Sequence, residues 1–221
     1  MDKHLFLFGG SPPFTPKMAQ QFVKKSIKKH APISILVLER DGWQAYMPKY
    51  TTLLEQAGLR NFQYLPLPST TVETAVQCIN NSAGIIIGGG DTNLYADYIV
   101  DTVISPAIKE RYELGVPVAG FSAGALISPD TCIISPKDNV QNEFQQREGL
   151  GLISNTLLAV HFSQWQDESH LRKAVNLFND HNNYGLDEQT GIYLRNGQVE
   201  ATEGEGVFYV ENDVVKAFTV Y

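Results

Sequence analysis

In the stretch "GVPVAGFSAGALIS", Gly115 to Ser128, one hydroxyl sits between two glycines at the end of an apolar run. A strand feeding Gly-Phe-Ser-Ala-Gly and then a helix is a nucleophile-elbow pattern. Such a turn strains its central residue and leaves no room for flanking side chains, so Gly120 and Gly124 are the residues that permit it. Ser122 is then expected at the carboxyl end of a sheet, where open α/β folds bind ligands. The backbone N–H of Ala123, at the start of the following helix, is a candidate oxyanion donor.

A serine hydroxyl is a weak nucleophile at neutral pH and needs a base within hydrogen-bond reach, oriented by a third group. Five histidines are available. His4 opens a strand and His30 closes a basic helix. His170 and His181 fall at the two ends of a helix and read as surface residues. His161 follows the apolar run "TLLAV", and a histidine at a strand's carboxyl end lies on the rim expected for Ser122, which makes it the candidate base. The glycines of "IIIGGGDTN" let backbone approach a ligand closely, so Gly89 and Gly90 are candidates for the second oxyanion donor. The rival reading of that run, a phosphate cradle, lacks the spacing of either nucleotide fingerprint.

These residues need a frame. Apolar runs at 4–8, 33–38, 62–67, 84–88 and 116–121 read as strands. Helical patterns lie between them, at 15–30, 46–58 and 70–80 and over "TNLYADYIVDTVISPAIKERYELG", with a break near Pro106. The 15–30 helix has Thr15 as N-cap, Pro16 at its first position, and Met18, Phe22, Val23 and Ile27 on one face. The alternation predicts a doubly wound α/β fold with a mostly parallel sheet flanked by helices. After a further helix at 168–181, the segments "YGLDE", "TGIYLRNG", "QVEATEG", "GVFYVEN" and "VVKAFTVY" predict a C-terminal antiparallel meander. Asn196-Gly197 and Glu211-Asn212-Asp213 are its turns. No linker or repeat interrupts the chain, so 1–221 is expected to form one domain.

The chain has 221 residues, 43% hydrophobic and 19% charged, with a formal net charge of -7. No run of Lys or Arg exceeds two residues, which argues against a nucleic-acid or anionic-membrane partner. No apolar stretch is long enough to span a bilayer. Cys78 and Cys132 form no disulfide framework and read as small buried hydrophobes. A cytoplasmic address is the expectation.

"GGGDTNLYADYI", "PVAGFSAGA", "HFSQW" with an Arg-containing helix after it, and "YGLDEQTGIYL" together resemble peptidase family S51, which contains dipeptidase E and cyanophycinase. The order and spacing of these motifs agree from about Gly84 to Leu194; before that only the pattern of elements agrees. The resemblance implies a class I glutamine amidotransferase-like fold with serine at the elbow, and a Ser-His-acid hydrolase of small peptides without metal or organic cofactor. Ser122 would be nucleophile, His161 base, and Gly90 with Ala123 the oxyanion hole. Glu188, in "GLDEQTG", is the acid favoured by the cyanophycinase-like motif; Asp138 is the nearest match to the dipeptidase E-like alternative. The neighbouring Asp187 would cap the turn or bind substrate. Substrate contacts are expected from Gly89, Asp91, Thr92, Gln164 and Arg172, with Trp165 and Gln166 beside them. Arg172 would grip an acidic substrate, although Asp91, where dipeptidase E has Asn, favours a substrate cation instead. The competing readings are a non-catalytic binding protein on the same fold and an esterase or amidase. The terminal meander is the surface on which a homodimer would form.

Overall fold

The computed structural model describes residues 1–26, 30–204 and 206–220. Five parallel strands run from one edge of a seven-stranded sheet: β1 (His4–Phe8), β2 (Ile33–Leu38), β3 (Phe62–Leu67), β4 (Gly84–Ile87) and β5 (Val118–Phe121). Between them run α1 (Pro16–Lys25), α2 (Trp43–Tyr46), α3 (Pro48–Gln56), α4 (Val72–Asn80), α5 (Thr92–Tyr95) and α6 (Ile104–Glu113). The strand order is β3-β2-β4-β5-β1, continued by β10 (Gly191–Arg195) and β11 (Gln198–Glu203), which add antiparallel beyond β1.

β1, β4 and β5 are buried along their whole length because helices cover both faces of the sheet. Leu5, Leu7, Ile85, Ile87 and Val118 pack with Ile79 of α4 and Ile108 of α6. The alternate residues Phe6, Phe8, Ile86, Ala119 and Phe121 pack with Phe22 of α1 and Leu54 of α3. This two-sided core is the expected doubly wound arrangement. Cys132 is fully buried, and burial pushes its thiol up to about 12.

Several elements differ from expectation. α1 ends at Lys25, and Ile27, placed on its apolar face by the sequence pattern, lies outside the described residues. Thr15 makes no side-chain cap. Instead the Glu203 carboxylate accepts from the Lys17 and Met18 N–H groups at 3.1 and 3.0 Å, placing negative charge at the helix N-terminus. Where one helix over 46–58 is expected, α2 ends at Tyr46 and Pro48 opens the separate helix α3. A π-turn at Ala96–Val100 precedes α6, so the break lies upstream of Pro106, which sits inside that helix.

The C-terminal third is the largest difference. α7 (Ala123–Leu126) leads to an unanticipated hairpin of β6 (Thr131–Ile134) and β7 (Gln145–Glu148). β8 (Thr156–Val160), α8 (Glu168–Leu177) and β9 (Asn182–Leu186) then form a β-α-β unit. Its strands are parallel because a helical crossover joins them. β12 (Val207–Glu211) pairs with β9, and β13 (Val214–Ala217) with β12, in a second sheet of order β13-β12-β9-β8. The expected single meander is thus divided between two sheets. Both predicted turns are present, with positive φ at Asn196, Gly197, Asn212 and Asp213. Among the described residues no helix is long and apolar enough to cross a membrane.

Candidate active site

Ser122 sits at the bend between β5 and α7 with φ 50 and ψ -110, a conformation that non-glycine residues rarely adopt. The bend is tight enough to exclude side chains. A Cβ on Gly120 would lie 2.3 Å from the Gly124 carbonyl oxygen, and one on Gly124 would lie 2.4 Å from that of Ile87. The Ser122 N–H bonds to the Phe8 carbonyl at 3.0 Å, fixing the bend to the end of β1.

β8 belongs to the second sheet, yet its carboxyl end delivers His161 to the same rim. The His161 N–H donates to the Gly9 carbonyl at 2.7 Å. His161, also in the left-handed region at φ 48, places Nε2 2.9 Å from Ser122 Oγ. Its Nδ1 lies 2.8 Å from Glu188 Oε1. Donation from Nδ1–H to the carboxylate leaves Nε2 as the acceptor for the serine hydroxyl. Ser122 is 7% exposed and the His161 side chain 12%, whereas Glu188 is half exposed at 49%. The indole of Trp165 stacks on the imidazole, with ring centres 4.4 Å apart and planes inclined by 22°.

The loops bearing His161 and Glu188 are tied together. Gln164 Oε1 accepts from the Glu188 N–H at 3.1 Å, and Asp187 Oδ1 accepts from the Ser163 N–H at 2.7 Å. Both side chains therefore shape the loops, and Asp187 caps the turn. Gly89 lies against Ser122: a Cβ there would be 3.3 Å from the serine Cβ. Its N–H is taken by the buried Tyr50 hydroxyl at 3.1 Å. Among the described residues the N–H groups of Gly90 and Ala123 have no such partner.

Most of the remaining expected site residues lie elsewhere, whereas Asp91 lines a pocket beside Gly89 and Gly90. Thr92 is fully buried and donates to Asp138 Oδ2 at 2.6 Å, which removes it from any substrate surface. Asp138, the alternative acid, is thus occupied by Thr92 rather than by His161. Burial pushes its carboxyl up to about 6 against that hydrogen bond, and the charges of Asp91 and Asp167 add to the rise. Asp91 caps α5, its Oδ1 accepting from the Leu94 N–H at 3.0 Å. Arg172 is held by Asp213 at 3.2 Å and Glu168 at 3.4 Å, on the flank of α8. Gln166 is exposed and lines the same shallow cleft as Arg172. His170, expected at the surface, faces inward from α8 and is 5% exposed; burial brings its imidazole down to about 4.

Sequence reasoning passed over Gly9. Its carbonyl holds His161, its N–H donates to Thr190 at 3.1 Å, and its Cα abuts the 186–187 backbone. The signal was present: "FGG" ends a buried strand just as "IIIGGG" does. Tyr50 gave no comparable signal, because its role depends on a contact 39 residues away.

A family model, peptidase family S51, matches residues 17–202. A cyanophycinase from Nostoc sp. (strain PCC 7120 / SAG 25.82 / UTEX 2576) is 24% identical over 163 residues, covering 69% of this chain and 54% of that protein. The chain therefore spans about half the length of the curated relative it matches, at 54%. Among solved structures, a peptidase from an acI-B1 actinobacterium superimposes with a TM-score of 0.72 at 20% identity, covering 99% of this chain and 98% of the other. A putative peptidase E protein from Listeria monocytogenes EGD-e gives 0.67 at 18% identity, covering 92% and 98%. At these identities the likeness is one of fold.

Proposed function

The chain belongs to peptidase family S51, and from that premise we propose that it is a serine peptidase that cleaves small peptides through an acyl-enzyme. The observation that carries this reading is the 2.9 Å contact between Ser122 Oγ and His161 Nε2 at a strained, glycine-flanked bend.

Ser122 Oγ attacks the scissile carbonyl carbon as its proton passes to His161 Nε2. Glu188, on Nδ1, holds the neutral ring in the accepting tautomer and stabilises the imidazolium that forms. The N–H groups of Gly90 and Ala123 take the oxyanion; in this role such donors are each worth about 3–4 kcal/mol. The imidazolium then gives its proton from Nε2 to the leaving amine as the C–N bond breaks. A water molecule, deprotonated by Nε2, attacks the ester carbonyl and releases the acid and the free serine. Trp165 restrains the ring so that Nε2 stays on Ser122.

Arg172 is held by Glu168 and Asp213, so a preference for acidic residues has no support from that position. The test is hydrolysis of a panel of dipeptides, with simple esters alongside, by the wild-type chain and by Ser122→Ala. The substitution is expected to abolish turnover while leaving circular dichroism and thermal unfolding unchanged. Turnover within about twofold of wild type would refute the reading.

A further inference from the structure

Ser122 has two flanks, and the strand order separates them. On the β1 side, the Gly9 backbone and the loops after β8 and β9 bring His161 and Glu188. On the opposite side, at the ends of β4 and β2, a pocket of about 230 Å³ opens beside Gly89 and Gly90. Ligand sites for whole drug-sized molecules run from about 300 to 1,000 Å³, so this one has the size for a single side chain.

The lining is predominantly apolar and aromatic. Leu38, Trp43, Tyr46, Met47, Tyr50 and Leu94 surround it. Its charged residues are two carboxylates, Glu39 and Asp91, and one guanidinium, Arg40. Arg40 lies over the Tyr46 ring, 5.4 Å from its centre, and Lys49, outside the lining, lies 4.4 Å from the same ring. An acidic side chain entering here would sit with two like charges and would compete with Tyr46 for Arg40. An aromatic or branched side chain would instead lose water against Trp43 and Tyr50.

The direction of the substrate follows from the proton path. The leaving amine has to face His161, which protonates it. The acyl portion then lies on the other side of the attacked carbon, towards Gly90 and the pocket.

We propose that this pocket receives the side chain of the residue contributing the scissile carbonyl, and that it selects a bulky apolar or aromatic group over an acidic one. The proposal rests on Ser122 being the nucleophile and adds the specificity of the same site.

The experiment uses α-aminoalkyl diphenyl phosphonates, in which the serine oxygen bonds to phosphorus and phenoxide leaves. Three side chains are compared: benzyl, methyl and carboxymethyl. Inactivation by the benzyl compound is expected to be about 10- to 100-fold faster than by the methyl compound, with the carboxymethyl compound slowest. In Trp43→Ala the benzyl-to-methyl ratio should fall towards one. Leu94→Asp, a change at an exposed rim position, should lower the same ratio without depending on how Trp43→Ala folds. Equal rates for benzyl and methyl, or a carboxymethyl advantage, would overturn the pocket assignment while leaving the nucleophile intact, provided a small fluorophosphonate still labels Ser122. Failure of the fluorophosphonate to label Ser122 would overturn the nucleophile reading, and the pocket assignment with it.

Discussion

The backbone N–H of His161 donates to the carbonyl of Gly9 at 2.7 Å. Through this bond a histidine carried by the second sheet is registered against the residue that follows β1, whose Phe8 carbonyl holds Ser122. The two reacting groups therefore share one anchor, although 39 residues separate them. A Cβ on Gly9 would fall 2.3 Å from the Leu186 carbonyl oxygen and 2.4 Å from that of Asp187. Gly9→Ala must therefore move either the strand end or the loop leading to Glu188. The expected result is a fall in kcat of about 100-fold or more, since an ångström-scale misplacement costs that much. A loss of about 1–3 kcal/mol in stability by urea unfolding should accompany it. Wild-type kcat in Gly9→Ala would show that the anchor is dispensable.

Replacing Glu188 separates its role from that of Asp138. Replacing a buried triad aspartate by its amide lowers kcat by about 10⁴-fold, because the amide stabilises the wrong tautomer. Glu188 is 49% exposed, so water takes over part of its task. Glu188→Ala is expected to lower kcat by about 10²- to 10³-fold with little change in KM. Glu188→Gln offers Nδ1 an amide N–H, which favours the tautomer with the proton on Nε2 facing Ser122, and should lose at least as much. Asp138→Asn should keep kcat within about twofold. Steady-state kinetics on one dipeptide decides the matter, and a larger loss in Asp138→Asn than in Glu188→Ala would reverse the assignment.

Asp138 and His170 border one narrow crevice and should oppose each other in acid stability. The native Asp138 carboxyl is raised to about 6, above the unfolded value of about 3.9. Its contribution is complete below that unfolded value and is lost as pH rises through about 6. The native His170 ring is lowered to about 4, against about 6.5 unfolded. Its contribution is present above pH 6.5 and is lost as pH falls through about 4. Asp138→Asn, which keeps an oxygen for Thr92, should therefore add about 1–3 kcal/mol at pH 7–8 and little at pH 4. His170→Phe should flatten the loss of stability on the acid side. Urea midpoints measured from pH 4 to 8 test both; curves parallel to wild type would contradict them.

The sequence carried the central sheet because buried parallel strands and amphipathic helices differ in period, and the two patterns alternate through 4–121. It carried Ser122 for a local reason: the two glycines that relieve the bend are its near neighbours. His161 and Glu188 were reachable through the ends of apolar runs and the linked motifs. What escaped was set by contacts distant in sequence. Asn182–Leu186 has the same alternation as the strands after it, yet the helix before it forces parallel pairing with β8 and pulls it out of the meander. The family resemblance that placed Arg172 near the site carried no information about Asp213, which holds it 41 positions away in the chain. Thr92 was expected to contact substrate, and its actual partner, Asp138, comes from a segment with no periodic signal.

The central claim is that His161 activates Ser122. Its most direct measurement is the rate of covalent labelling by a fluorophosphonate, with the adduct located by mass spectrometry, in the wild-type chain and in His161→Ala. The account predicts one adduct, on the peptide containing Ser122, and labelling at least about 100-fold slower without the imidazole. An adduct on another residue, or equal labelling rates in the two proteins, would contradict it.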